Sequence, residues 1–94
     1  MMEMTSGHAD HGPHVAPAAR AARRITWLQP QSQEERRRTV QWTCACRATV
    51  YQMIAGGGQM HIARVDRRGR FETHRMSHRD AELLWQDLLF GRAI

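Results

Sequence analysis

Lysine and asparagine are absent from this chain of 94 residues. Without a lysine there is no P-loop, even though the triplet Gly56-Gly57-Gly58 superficially suggests one; a P-loop also opens directly into a helix, and here an extended run follows. There are only two cysteines. Residues 1–24 contain no apolar stretch that could serve as the core of a secretory signal. The expectation is therefore a reducing, cytoplasmic setting with no structural disulfide. Long hydrophobic runs are missing too. The longest, Leu83 to Phe90, is interrupted by Gln86 and Asp87, whereas a membrane span needs about 20 apolar residues. No close carboxylate pair, Ser-His-Asp set or cofactor fingerprint appears, so no enzyme and no cofactor are expected.

Cationic charge is what the chain has in surplus. Fourteen arginines stand against nine acids, for a formal charge of +5. Codon usage in a GC-rich genome accounts for arginine in place of lysine, but it does not account for the excess. A basic balance points to an acidic partner, most simply nucleic acid. At this length there is one domain at most. Its foldable part is about 50 residues, a size at which stability often leans on a partner, a metal or a dimer interface.

Composition divides the chain. Residues 1–24 are rich in Ala, Gly, Pro and His, with too little apolar surface to offset chain entropy, and are expected to form a disordered basic tail. Residues 25–39 form an arm or linker whose Ile25, Trp27 and Leu28 pack on the domain. Glu34 and Arg38 there have the i, i+4 order of a helical turn. From Val40 the pattern becomes period two: Val40, Trp42, Cys44, Cys46, Ala48, Val50 and Ile54 on one face, and Gln41, Thr43, Arg47, Thr49 and Tyr51 on the other. This predicts a long strand over about 40–54. A glycine hairpin leads to a second strand over about 59–66, and Arg67-Arg68-Gly69 turns into a third over about 70–76. Ser77 caps a helix over about 78–90 with Asp80 as capping-box partner, and Ala81, Leu84, Trp85 and Leu88 form its apolar stripe. The expected fold is α+β: residues 40–94 as a three-stranded antiparallel sheet with one helix on one face.

Cys44-Ala45-Cys46 offers two zinc ligands that His61 or His74 could complete. Its spacing is not the usual C-x2-C of a zinc knuckle, and both cysteines fall on the apolar face of the predicted strand. Core packing is therefore the favoured reading, with a metal site as the alternative. His8, His11 and His14 are spaced to hold a transition metal weakly, but they lie in the expected tail. The arginines carry the remaining signal. Arg47 falls on the polar face near Tyr51, and Arg64, Arg67, Arg68 and Arg70 lie on the next strands and their turn, while the helix carries Asp80, Glu82 and Asp87. A helix covering the apolar face would leave these arginines on an open sheet face. There they could grip phosphates, with Tyr51 able to stack on bases.

A sheet of three strands followed by one helix, with Ser77, Ala81, Trp85 and the run Arg67 to Arg70, resembles the amino-terminal DNA-binding domain of tyrosine-recombinase integrases and of plant ethylene-response factors. The chain departs from that pattern at Arg75, where those domains carry an aromatic, and at Leu84, where they carry the tryptophan. The resemblance implies DNA binding without recombinase activity. The strand Trp42 to Cys46 and the ending Leu84 to Gly91 are similar to short proteins of filamentous actinobacteria, which implies lineage alone. The function expected is a small accessory protein that binds nucleic acid through Arg47, Tyr51, Arg64, Arg67, Arg68 and Arg70. The alternative is a protein-interaction module with no nucleic-acid role, a homodimer among its forms, whose exposed strand edge or Trp27 patch docks a partner.

Overall fold

The structure is a computed structural model that describes residues 12–30 and 37–94. It is α+β, with one helix and an antiparallel sheet of four strands rather than three. The strands are β1 (Arg37–Trp42), β2 (Val50–Gly56), β3 (Gln59–Asp66) and β4 (Gly69–Glu72), in the order β1-β2-β3-β4, and the helix is α1 (His78–Leu89). No helix among the described residues is long and apolar enough to cross a membrane.

The extra strand comes from breaking the run expected over 40–54. Thr43 closes a hairpin there: its amide donates to the Tyr51 carbonyl at 2.9 Å, and its hydroxyl accepts from the Tyr51 amide at 2.9 Å. Residues 44–49 form the connecting loop, so strand alternation does not carry through them. A bulge between Thr39 and Gln41 shifts the register once more. The faces therefore change. Tyr51 and Met53, on β2, are buried in the cluster under the helix, while Trp42 and Cys46, expected inside, are exposed.

The two later turns form as their residues demand. Gly57 and Gly58 have φ of 60° and 76°, the positive values of a tight hairpin turn, and the Asp66 carboxylate accepts from the Arg68 amide at 2.8 Å. The strand expected over 70–76 is interrupted after Glu72. Thr73 donates its amide to the Ile62 carbonyl while its hydroxyl accepts from the Ile62 amide, and pairing resumes at Met60 and Met76. Ser77 caps α1 by accepting from the Asp80 amide at 3.1 Å. The helix buries Ala81, Trp85 and Leu88 against Met53, Met60 and Ile62. Methionine suits this junction because its unbranched side chain fills irregular gaps.

Residues 12–24 depart from the expectation of a tail. Residues 1–11 lie outside the described residues, as do His8, His11 and Glu34, but 12–24 follow the carboxyl end of α1. Ala16 donates to the Leu89 carbonyl at 2.9 Å, Ala19 to Gly91 at 2.8 Å, and Ile25 to Ile94 at 2.7 Å. The arm needs few large side chains because its backbone supplies the donors that the last helical carbonyls require. Val15, Ile25 and Trp27 pack on the core cluster, and Leu28 pairs with Glu72 beyond β4 through bonds of 2.7 and 2.8 Å.

Gly91 is the tight point of this junction. Its φ is 74°, and a Cβ there would run into the Pro17 carbonyl. The left-handed backbone alone costs an L-residue about 1–2 kcal/mol. Gly91→Ala is thus expected to lower the melting temperature by about 4–8 °C per kcal/mol lost and to speed tryptic cleavage at Arg20 to Arg24. A circular-dichroism melt and a digestion time course check this. An unchanged melt would contradict the docking of the arm.

Candidate metal centre

Hairpin closure at Thr43 turns Cys44 inward and leaves Cys46 at the surface: Cys44 is 1 % exposed, and Cys46 sits on the turn. The arm then meets the loop. The Cys44 amide donates to the Pro13 carbonyl at 3.0 Å, which places His14, the next residue, over the thiols. Cys46 Sγ lies 3.3 Å from His14 Nε2 and 3.0 Å from Cys44 Sγ, and the Cys46 amide donates to Cys44 Sγ at 3.3 Å. One ligand atom from each of His14, Cys44 and Cys46 lies within 4.8 Å of the others. No other such group of His, Cys, Asp or Glu occurs among the described residues.

Two soft sulfurs and an imidazole form a donor set that suits Zn²⁺. Two thiolates about 2.3 Å from a tetrahedral ion stand about 3.8 Å apart, so the sulfurs, 3.0 Å apart here, must separate by roughly 0.8 Å. Cys46 is exposed and can rotate to do so. Its thiol pKa is raised, first by the hydrogen bond with Cys44, then by burial and by Cys44's charge, with Arg47 acting weakly the other way. Without an ion Cys46 therefore keeps its proton.

The remaining predicted residues separate. His61 does not approach the cysteines: it is 1 % exposed and pairs across the sheet with Ile54, with Nε2 3.5 Å from Glu72 Oε2. His74 is exposed beyond β4. The ligand that joins the cysteines is His14, from the segment expected to be a tail.

The arginines do not share one face. Arg64 is paired across the sheet with Tyr51 and with Phe71, on the side that faces the helix and arm. Its guanidinium carbon lies 5.0 Å from the Trp27 ring centroid and 5.0 Å from that of Phe71, a cation–π sandwich, and its Nε reaches Asp66 at 3.5 Å. Tyr51 is buried against Trp27, ring centroids 5.9 Å apart, and burial raises its pKa. Arg70, on the opposite face, bonds Glu72 and Gln52, each at 3.2 Å. Arg47, Arg67 and Arg68 are exposed. They share one end of the sheet, because Val50, which follows the Cys loop, pairs with Val65, which precedes the β3–β4 turn. Arg47 also touches the site, with Nη2 3.4 Å from His14 Nδ1. No protein-family model, curated protein or solved structure matches the chain, so its function rests on the chemistry of these groups.

Proposed function

We propose that this protein binds one thiophilic divalent ion, zinc in first place, through His14, Cys44 and Cys46, and that the ion fastens the amino-terminal arm to the sheet. The observation that carries this reading is the convergence of three nitrogen and sulfur donors within 4.8 Å from segments 30 residues apart. Structural zinc commonly has four protein ligands, and three leave a position for water or an outside ligand. No carboxylate joins the group among the described residues, which supports a binding role over hydrolytic catalysis.

The test is a zinc titration of the full chain against a chromophoric chelator. One ion per chain is expected. His14→Ala and Cys46→Ser should each weaken binding beyond the roughly 10–100-fold that loss of an outer-shell partner costs, while His74→Ala should leave it unchanged. Each ion displaces up to two thiol protons. Below the thiol pKa the logarithm of affinity should therefore rise by up to about two per pH unit. An affinity indifferent to His14→Ala, or independent of pH, sinks the proposal.

A further inference from the structure

Arg47 and the proposed ion make opposite demands on the His14 imidazole. A guanidinium only donates, so Arg47 Nη2, 3.4 Å from His14 Nδ1, requires that nitrogen to accept, and the ring proton then sits on Nε2. That proton faces Cys46 Sγ at 3.3 Å. Ligation reverses the tautomer: Nε2 gives its lone pair to the metal, and the proton moves to Nδ1, which then donates. Two donors cannot share a hydrogen bond. Resting on the metal reading above, we infer that ion binding at His14 releases Arg47 and makes it available, beside Arg67 and Arg68, to the phosphates of a nucleic acid.

Charge at this end supports that occupant. The chain carries fourteen arginines against nine acids, a net charge of +5. Among the described residues three acids are engaged within the molecule: Glu72 by Arg37 and Arg70, Asp87 by Arg23 and Arg92, Asp66 by Arg64. Arg47, Arg67 and Arg68 are exposed at the end where the Cys loop and the β3–β4 turn meet. Several guanidiniums projecting from two loops suit a strand of phosphates, which supplies affinity without a closed pocket. The site's own charge does not change on loading: the two positive charges of the ion are matched by the two thiolates, and the imidazole stays neutral. A gain in nucleic-acid affinity would thus report the freed arginine and not a more positive site.

The coupling is reciprocal, because whatever draws Arg47 away from His14 also favours the ligating tautomer. The experiment measures anisotropy of a labelled DNA duplex titrated with the full chain at several salt concentrations, first with chelator and then with one equivalent of zinc. Zinc should tighten binding roughly tenfold, as one charged hydrogen bond allows. It should also steepen the slope of log affinity against log salt by about 0.9, the signature of one more phosphate contact. Arg47→Ala should bind zinc at least as tightly as wild type, lose both zinc effects, and keep the residual DNA affinity that Arg67→Ala and Arg68→Ala reduce. Zinc binding with no change in DNA affinity would overturn the inference while leaving the metal site standing. So would a full zinc effect retained in Arg47→Ala, which would place a phosphate on the ion itself. Equal, equally zinc-dependent binding of polyglutamate would assign the surface to acidic polypeptides instead. Failure to bind zinc at all removes both this inference and the reading beneath it.

Discussion

Trp85→Ala is expected to leave most molecules unfolded in moderate urea, with a loss of about 3–5 kcal/mol. Trp85 is 2 % exposed and belongs to the cluster of Met53, Met60, Ile62 and Leu88, where the helix meets β2 and β3. Whole domains are stable by only about 5–15 kcal/mol, and small ones sit near the lower bound. Truncating the indole removes its transfer energy and leaves a cavity that the short strands cannot collapse to fill. Its Nε1 has no hydrogen-bond partner among the described residues, so Trp85→Phe loses volume without orphaning an acceptor and should cost less. Urea denaturation followed by circular dichroism separates the two. A Trp85→Ala midpoint equivalent to a loss under about 1 kcal/mol would show that the helix is not the main cover of the sheet.

The second large effect comes from the opposite face of the sheet. Glu72 is 4 % exposed, and its Oε2 lies 3.2 Å from Arg70, 3.4 Å from Arg37 and 3.5 Å from His61. Burial opposes ionisation of this carboxyl, but His61, Arg70 and Arg37 together outweigh burial and hold its pKa below the usual value. Removing one partner of a buried charge pair costs about 3–5 kcal/mol. Arg37 and Arg70 keep side-chain exposures of 30 % and 35 %, so water tempers the loss, and Glu72→Ala is expected near the lower figure.

The pH dependence of this cluster has a definite sign. Burial, above all, pushes the His61 pKa below 6.5, with Glu72 acting against it and Arg75 and Arg37 with it. The unfolded chain therefore takes up a proton at His61 before the folded one does, and stability falls as pH drops from about 6.5. Glu72, also depressed, adds stability that is present above its unfolded value of 4.5 and lost as pH falls through its folded value. Wild type should thus lose stability in two stages on acidification. Glu72→Ala should lack the lower stage and deepen the upper one, because His61 loses the carboxylate that raised its pKa. Melting temperatures between about pH 2.5 and 8 check this, and a flat wild-type profile would refute the arrangement.

Local signals in the chain proved legible. The Ser77 cap and the Ala81-Trp85-Leu88 stripe act within one helix, and the Gly57-Gly58 and Asp66-Gly69 turns are set by their own residues. What misled was alternation over residues 40–54, because a loop can alternate by chance. Only the long-range bonds between Thr43 and Tyr51 show that the strand breaks there. Alternation carried through the loop puts Tyr51 with the arginines and Cys46 with the core, the reverse of their places in the structure. Arg64 was unreadable for another reason: its sandwich between Phe71 and Trp27 needs a ring from the arm, 37 positions earlier in the chain. His14 is illegible for the same reason as its segment, whose small residues carry no hydrophobic pattern. Backbone donors at Ala16, Ala19 and Ile25, together with the Pro13 carbonyl, hold that segment in place, and side-chain pattern does not reveal them.

The most direct test of the metal centre is zinc-edge X-ray absorption of the protein loaded with one equivalent of the ion. Coordination by His14, Cys44 and Cys46 predicts two sulfurs at about 2.3 Å and two nitrogen or oxygen neighbours at about 2.0–2.1 Å. One of the lighter neighbours should carry the imidazole outer-shell signature, which His14→Ala should remove. A shell of nitrogen and oxygen alone would contradict the account, and so would four sulfurs, which would mean an ion shared between the cysteine pairs of two chains.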